Sequence, residues 1–293
     1  MKRIFHYKIM EKDAGKTIEA FLLEQQYTPS CIKYLKRAES RITVNGIWEF
    51  VNKQLKENDI LETVFIEESS ENIPPVEMPL DIVYEDEDIL VLNKAANLPM
   101  HPSKGYEYKS LANGVLFYYE KQGIPFVFRS VNRLDQQTTG LVIIAKNMLS
   151  GAILSESMRN REIRRTYLAV TEGEIPEKGT IDLPIGRREG SAVERCIDEN
   201  GMKAVTHYER LKYANGHSLA KIRLETGRTH QIRLHMRAIG HPLPADVLYN
   251  PNFAVIDRHA LHSWKLEFPH PITKEMLSFE QELPEDMKRI FCL

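Results

Sequence analysis

Five consecutive apolar residues, Leu141 to Ala145, follow the polar loop Asp135-Gln136-Gln137-Thr138-Thr139-Gly140 and predict a buried strand with a charged loop at its mouth. Ile18, Phe21 and Leu22 recur at helical spacing within residues 14–26, and Ile32 and Leu35 follow Thr28-Pro29-Ser30, a sequence suited to cap a second short helix. On that second helix Lys33, Lys36 and Arg37 fall on the side away from the apolar pair. Arg41 to Trp48 alternates and is turned by Asn45-Gly46, a strong short hairpin signal. Leu80 to Tyr84 and Ile89 to Asn93 flank an Asp-Glu-Asp turn and predict another hairpin. Residues 149–160 suit a helix, Arg164 to Thr171 a strand, and 203–226 two strands separated by Asn215-Gly216. In the Arg164 strand, Arg165, Tyr167 and Ala169 share one face and Thr166, Leu168 and Val170 the other. The stretch from Thr226 to Pro242 predicts a helix that Thr229 caps and Gly240 and Pro242 end. Ile232, Met236 and Ile239 form its apolar stripe, and His230, Arg233 and Arg237 a cationic one.

Ile66 to Pro75 is acidic, bears two serines and closes on a double proline, which is linker composition. The expected organisation is therefore a small unit over residues 1–70, a linker over 71–78 and a larger unit over 79–293. A chain of 293 residues buries enough apolar surface to fold without staples. Cys31, Cys196 and Cys292 stand far apart and in no Cys-x-x-Cys spacing, so reduced thiols, no zinc site and a cytoplasmic protein are expected. The N-terminus starts basic with no apolar segment behind it, and no apolar run approaches the length of a membrane span. A soluble monomer is the expectation.

The formal net charge of −2 stands against a uniformly basic nucleic-acid binder. Its distribution changes the picture, because basic residues bunch at Lys33/Lys36/Arg37/Arg41, Arg159/Arg161/Arg164/Arg165 and Arg228/Arg233/Arg237. Local positive stripes on a near-neutral body hold phosphates. His230 and His235 lie five apart with no carboxylate at the right offset, which fits no helical metal motif. Asp135, with Arg133 two residues before it, is the lone carboxylate of the central loop. It reads either as a reactive acid presented by a rigid strand or as a turn cap.

Arg133-Leu134-Asp135, two further residues and then Thr138-Thr139-Gly140-Leu141 resemble the active-site signature of the RluA-type pseudouridine synthases. Asn93-Lys94 to His101-Pro102, Arg165-x-Tyr167-x-Ala169 and Gly227-Arg228-x-His230-Gln231-Ile232-Arg233-x-His235 resemble three more of that family's motifs, in order along nearly the whole chain. The chain departs from the pattern at Ala95 and Asn97, at Asn132 in place of histidine, and at Ala245 in place of glycine before Asp246. The paired helices and Asn-Gly hairpin of residues 1–70 resemble the S-four-like RNA-binding module that precedes such catalytic domains.

The resemblance implies an α+β fold, a mixed and mainly antiparallel sheet with helices around a central cleft. It implies isomerisation of uridine to pseudouridine in structured RNA, rRNA before tRNA, with no cofactor and no metal. Asp135 becomes the carboxylate at the anomeric carbon, Tyr167 the candidate base for the C5 proton and Arg233 the partner that keeps Asp135 charged. Arg133, Thr138, Arg165, Arg228, His230 and Gln231 become substrate contacts, and Lys33, Lys36, Arg37 and Arg41 RNA contacts. Two other readings remain: an RNA-binding or ribosome-assembly protein without chemistry, and a nucleoside or glycoside hydrolase, for which Asp246 is the candidate second carboxylate.

Overall fold

The computed structural model describes residues 1–70 and 72–291, so Cys292 lies outside the described residues. The chain begins with β1 (Lys2–Lys8), α1 (Ile18–Glu24), α2 (Pro29–Leu35), β2 (Ile42–Val44), β3 (Ile47–Trp48) and β4 (Ile60–Ile66), which form a four-stranded sheet in the order β1-β4-β2-β3. Thr17 and Thr28 cap the two helices by accepting the amides of Ala20 and Cys31. The expected hairpin is present, with Asn45 and Gly46 both at positive φ. The edge strand β1 and the inner strand β4, for which the sequence pattern gives no prediction, pair along their full length and cover Phe5, Leu61 and Phe65 in one core with both helices.

The rest of the chain supplies β5 (Ile82–Glu85), β6 (Ile89–Lys94), α3 (Leu111–Glu120), β7 (Thr139–Ala145), α4 (Met148–Arg159), β8 (Arg164–Glu172) and β9 (Lys178–Asp182). There follow β10 (Ile185–Arg187), β11 (Arg195–Ile197), β12 (Val205–Ala214), β13 (His217–Leu224), α5 (Gln231–Ala238), β14 (Leu261–Pro269), β15 (Met276–Glu280) and α6 (Glu285–Arg289). A large sheet runs β5-β6-β7-β14-β8-β13-β12-β9, with β15 on β14, and β10 and β11 pair separately. Its neighbours are antiparallel except β7 and β14. This is the mixed, mainly antiparallel α+β architecture expected.

The parallel contact of β7 with β14 governs the Asp135 loop. Gly140 sits opposite Ser263 at φ 107, and a Cβ there would lie 2.3 Å from the Ser263 carbonyl oxygen, so only glycine lets the strands meet where the loop ends. All of β7 is buried, as its apolar run requires. Asn132 holds the other end of the loop: its side chain donates to Leu141 O at 3.1 Å and accepts from Ile143 N at 2.8 Å. Asn132 thus works as a clamp on β7.

The acidic stretch after β4 is less of a free linker than its composition suggested. Glu67 is buried and paired with Arg129 at 2.7 Å, and Ile73 packs against the core of the large sheet. Arg3 grips Asp88 through Nε and Nη2 at 3.0 and 2.8 Å, and Leu149 and Ile153 of α4 join the core of the N-terminal sheet. Replacing Asn132 with alanine leaves the buried Ile143 N–H without its acceptor, while Leu141 O keeps Ser263 Oγ at 3.1 Å, and the expected cost is about 1–3 kcal/mol, read by urea unfolding.

Candidate active site

Three pieces of chain converge on one pocket. The loop before β7 brings Arg133, Leu134, Asp135 and Thr138, β8 brings Arg165 and Tyr167, and the entry to α5 brings Arg228, His230, Gln231 and Arg233. The pocket has a volume of about 70 Å³. It shares Arg133, Leu134, Asp135, His230 and Arg233 as lining with a groove of about 690 Å³ walled also by His101, Tyr106, Arg195 and Leu248. A narrow slot off a broad groove suits a flat ring drawn out of a longer chain.

Asp135 is 28% exposed, and its Oδ2 accepts from Arg233 Nη1 at 2.8 Å. Arg233 is buried and gives its other face to Asp246, Nε to Oδ2 at 2.7 Å and Nη2 to Oδ1 at 2.6 Å. Asp246, 1% exposed, also accepts the amides of Leu248 and Tyr249. One guanidinium is thus anchored from behind by a buried carboxylate and offers its free edge to a second at the pocket mouth. The loop delivering Asp246 passes through buried Ala245 at φ 55, a left-handed conformation that strains alanine and suits glycine.

Burial acts to raise the Asp135 pKa, but His230, Arg233 and His259 outweigh it and hold the carboxyl below its ordinary value. Burial also lowers His230 and takes His259 down to about 3, so at neutral pH both imidazoles lack the charge that would help Asp135. The lasting cation is Arg233. Burial opposes its charge too, and Asp246 and Asp135 override that and raise its pKa.

Two buried groups fix the loop from below. Thr138 closes the turn, its amide donating to Asp135 O at 3.1 Å and its hydroxyl pairing with His259 Nε2 at 2.7 Å. Lys94, 1% exposed, donates to the carbonyls of Ala95, Leu98 and Gln136 at 2.8, 2.9 and 3.0 Å. Burial pushes its pKa down to about 7 while Asp135 pulls it up. The three acceptors match the three N–H groups of the charged ammonium, the form that satisfies this site.

The helix after Gly227 differs from expectation in two ways. His230 at φ 59, not Thr229, stands at the N-terminal boundary of α5, and it makes no side-chain cap. Gln231 instead ties the loop before α5 to β12, its Oε1 accepting from Arg228 N and Thr226 Oγ1 while its Nε2 donates to Val205 O and Thr206 Oγ1. The cationic stripe also dissolves, because His230 lies off the helix, Arg233 is buried between two carboxylates and Arg237 alone of the three is exposed. A helical wheel registers spacing but not the charges that other loops bring against it.

Among the remaining candidates, Arg133 is exposed at the rim and Arg228 donates to Lys203 O at 3.0 Å. Tyr167 is buried in the pocket wall beside Arg165, whose guanidinium fits against Gly227. Lys33, Lys36 and Arg37 are exposed on or just after α2, with Lys36 paired to Glu19 at 3.1 Å, and Arg41 lies over the Tyr34 ring at 4.0 Å. These four belong to the N-terminal sheet unit and do not line the pocket. Lys94, His259 and Tyr249 were not foreseen. Lys94 carried a signal, a lysine continuing the apolar run Ile89 to Leu92, whereas Tyr249 lies in an irregular loop with no period.

Outside the pocket, Asp86, Asp88 and His270 each bring one ligand-type atom within 4.8 Å of the others. These atoms are already engaged: Asp86 with His270 at 3.0 Å and Tyr84 at 2.8 Å, Asp88 with Arg3 and Asn147. The cluster is a hydrogen-bonded joint of the fold.

Fold and pocket together describe an α+β enzyme with one ionised carboxylate at the mouth of its pocket. Residues 88–238 match the family described as RNA pseudouridylate synthase. The uncharacterized RNA pseudouridine synthase YjbO of Bacillus subtilis (strain 168) is 38% identical over 276 residues, 94% of this chain and 98% of that protein. The ribosomal large subunit pseudouridine synthase D of Yersinia pestis is 38% identical over 299 residues, 95% of this chain and 91% of that one. Among solved structures, human RNA Pseudouridylate Synthase Domain Containing 1 aligns with a TM-score of 0.60 at 27% identity, covering 71% of this chain and 85% of that one. The chain belongs to the RNA pseudouridylate synthase family, isomerases that convert uridine to pseudouridine in RNA.

Arg233→Met removes the cation between two carboxylates, and the expected loss is about 3–5 kcal/mol of stability in chemical denaturation. Adding Asp246→Asn removes the buried unpaired charge and is expected to recover about 0.5–3 kcal/mol of that loss.

Proposed function

We propose that this chain isomerises a uridine of ribosomal RNA and that Asp135 is the carboxylate that acts at its anomeric carbon. The observation that carries this is the 2.8 Å pair of Asp135 with Arg233 at the mouth of the pocket. Isomerisation breaks the C1'–N1 bond, turns the uracil and joins C1' to C5; the C5 proton leaves and N1 gains one, so substrate and product hold the same atoms. Charge develops at C1' as in glycoside chemistry, and an ionised carboxylate meets it as nucleophile or stabiliser. Arg233 keeps Asp135 in that form, and its tether to Asp246 prevents it from following the carboxylate away from the site.

Tyr167, in the pocket wall, is the candidate for the C5 proton, and exposed Arg133 at the rim is a candidate phosphate contact. Residues 1–70 serve as the RNA-binding unit, with Lys33, Lys36, Arg37 and Arg41 as its phosphate contacts. Ribosomal RNA is favoured because relatives named for the large ribosomal subunit align over 95% of the chain. A hydrolase reading loses its second carboxylate, since Asp246 is buried behind Arg233 with both oxygens engaged.

Ribosomal RNA from a strain lacking the gene, treated with the purified protein and then with chemistry that marks pseudouridine, is expected to gain a defined site. Asp135→Asn is expected to lower the rate by at least about a thousandfold while RNA binding persists. Free uracil in the supernatant, or undiminished activity of the variant, would refute the assignment.

A further inference from the structure

We propose that Tyr249 is a positioning residue for the isomerisation: its hydroxyl fixes the tautomer of His230, so that an imidazole N–H faces Asp135, and ties that arrangement to the β10–β11 hairpin. This rests on Asp135 as the reacting carboxylate. Tyr249 is 5% exposed, and its oxygen has two partners. It accepts the backbone N–H of Arg195, the first residue of β11, at 3.0 Å, and it meets His230 Nδ1 at 2.8 Å. With one N–H already on the oxygen, a second from His230 would leave the phenol proton buried without an acceptor, a cost that folded proteins avoid. The phenol therefore donates to Nδ1. A neutral imidazole that accepts at Nδ1 carries its hydrogen on Nε2. Nε2 is the atom that faces Asp135, 4.0 Å from Oδ2. This gap is too long for a hydrogen bond in the free enzyme, and a shift of about 1 Å closes it.

The same residue touches the other groups around Asp135. The guanidinium of Arg233 lies over its ring at 5.0 Å, its amide donates to Asp246 Oδ1 at 3.2 Å, and its ring meets that of His230 edge-on at 5.6 Å. β10 and β11 form their own two-stranded sheet, and Ala192, Val193 and Arg195 at its tip wall the groove beside the pocket. An RNA strand lying in that groove presses on the hairpin, and the Arg195–Tyr249–His230 chain carries the hairpin's position to the carboxylate.

Tyr249→Phe keeps the ring and removes only the hydroxyl. In single-turnover assays it is expected to slow pseudouridine formation about tenfold with RNA affinity unchanged. In a His230→Gln background, where an amide N–H replaces Nε2–H and there is no tautomer to select, the same change is expected to alter the rate less than about twofold. Nitrogen NMR of labelled imidazoles is expected to show His230 with a bare Nδ1 and a protonated Nε2 in the parent protein, and a mixture in Tyr249→Phe. Equal slowing in both backgrounds, or a protonated Nδ1 in the parent, overturns the proposal. The NMR readout needs no substrate, so a parent protein that forms no pseudouridine would count against the role given to Asp135 and leave the tautomer to be decided separately.

Discussion

A single arginine shared by two aspartates is the constraint on which the site depends. Asp135 stands largely sheltered at the pocket mouth, where burial alone acts to raise its pKa and favour the neutral acid. Arg233 opposes that shift, but an arginine paired only with Asp135 would be free to move with it. The bidentate contact with Asp246 sets the guanidinium in place first, and Asp135 meets a fixed edge. The cost appears elsewhere, in Ala245 held at φ 55 and in the amides of Leu248 and Tyr249 committed to Asp246.

The large sheet exists, from the standpoint of the site, to bring three distant segments together. β7 and β8 share β14 as neighbour, so the Asp135 loop and Tyr167 are separated by one strand, and β13 beside β8 delivers the chain into α5. Gly140 permits the close β7–β14 contact, Asn132 pins the near end of the loop to β7, and Lys94 ties its middle to the segment after β6. Each of these is a hydrogen bond or steric allowance of ordinary strength. Together they leave Asp135 little freedom before substrate arrives.

Much of this was legible in the chain itself. Hydrophobic period gave the helices of residues 1–70, the buried β7 and the two faces of β8, and the Asn-Gly dipeptides gave both turns, because one strong pattern governs each. Motif resemblance linked Asp135, Tyr167 and Arg233 before any geometry did. Other features left weaker marks. β1 and β4 are acidic or basic in part, so their alternation is diluted, and the Thr229 cap failed because a left-handed His230 stands at the helix boundary instead and makes no side-chain cap. The buried ends of Lys94, His259 and Tyr249 depend on which loops lie above them, and no local window contains that. The cationic stripe of α5 failed for the same reason: its charge is cancelled by residues that lie far off in sequence or in another loop.

The most direct measurement is a carbon-NMR titration of the Asp135 carboxyl in the free protein. A carboxylate whose folded pKa is depressed contributes stability above its unfolded pKa of about 3.9, and that contribution is lost as pH falls through the folded value. Arg233 beside it should therefore place the Asp135 midpoint below about 3.9, with the carboxylate fully ionised at every pH where the enzyme works. A midpoint at or above that value would mean that burial prevails over the guanidinium, and the role given to the shared arginine would be wrong.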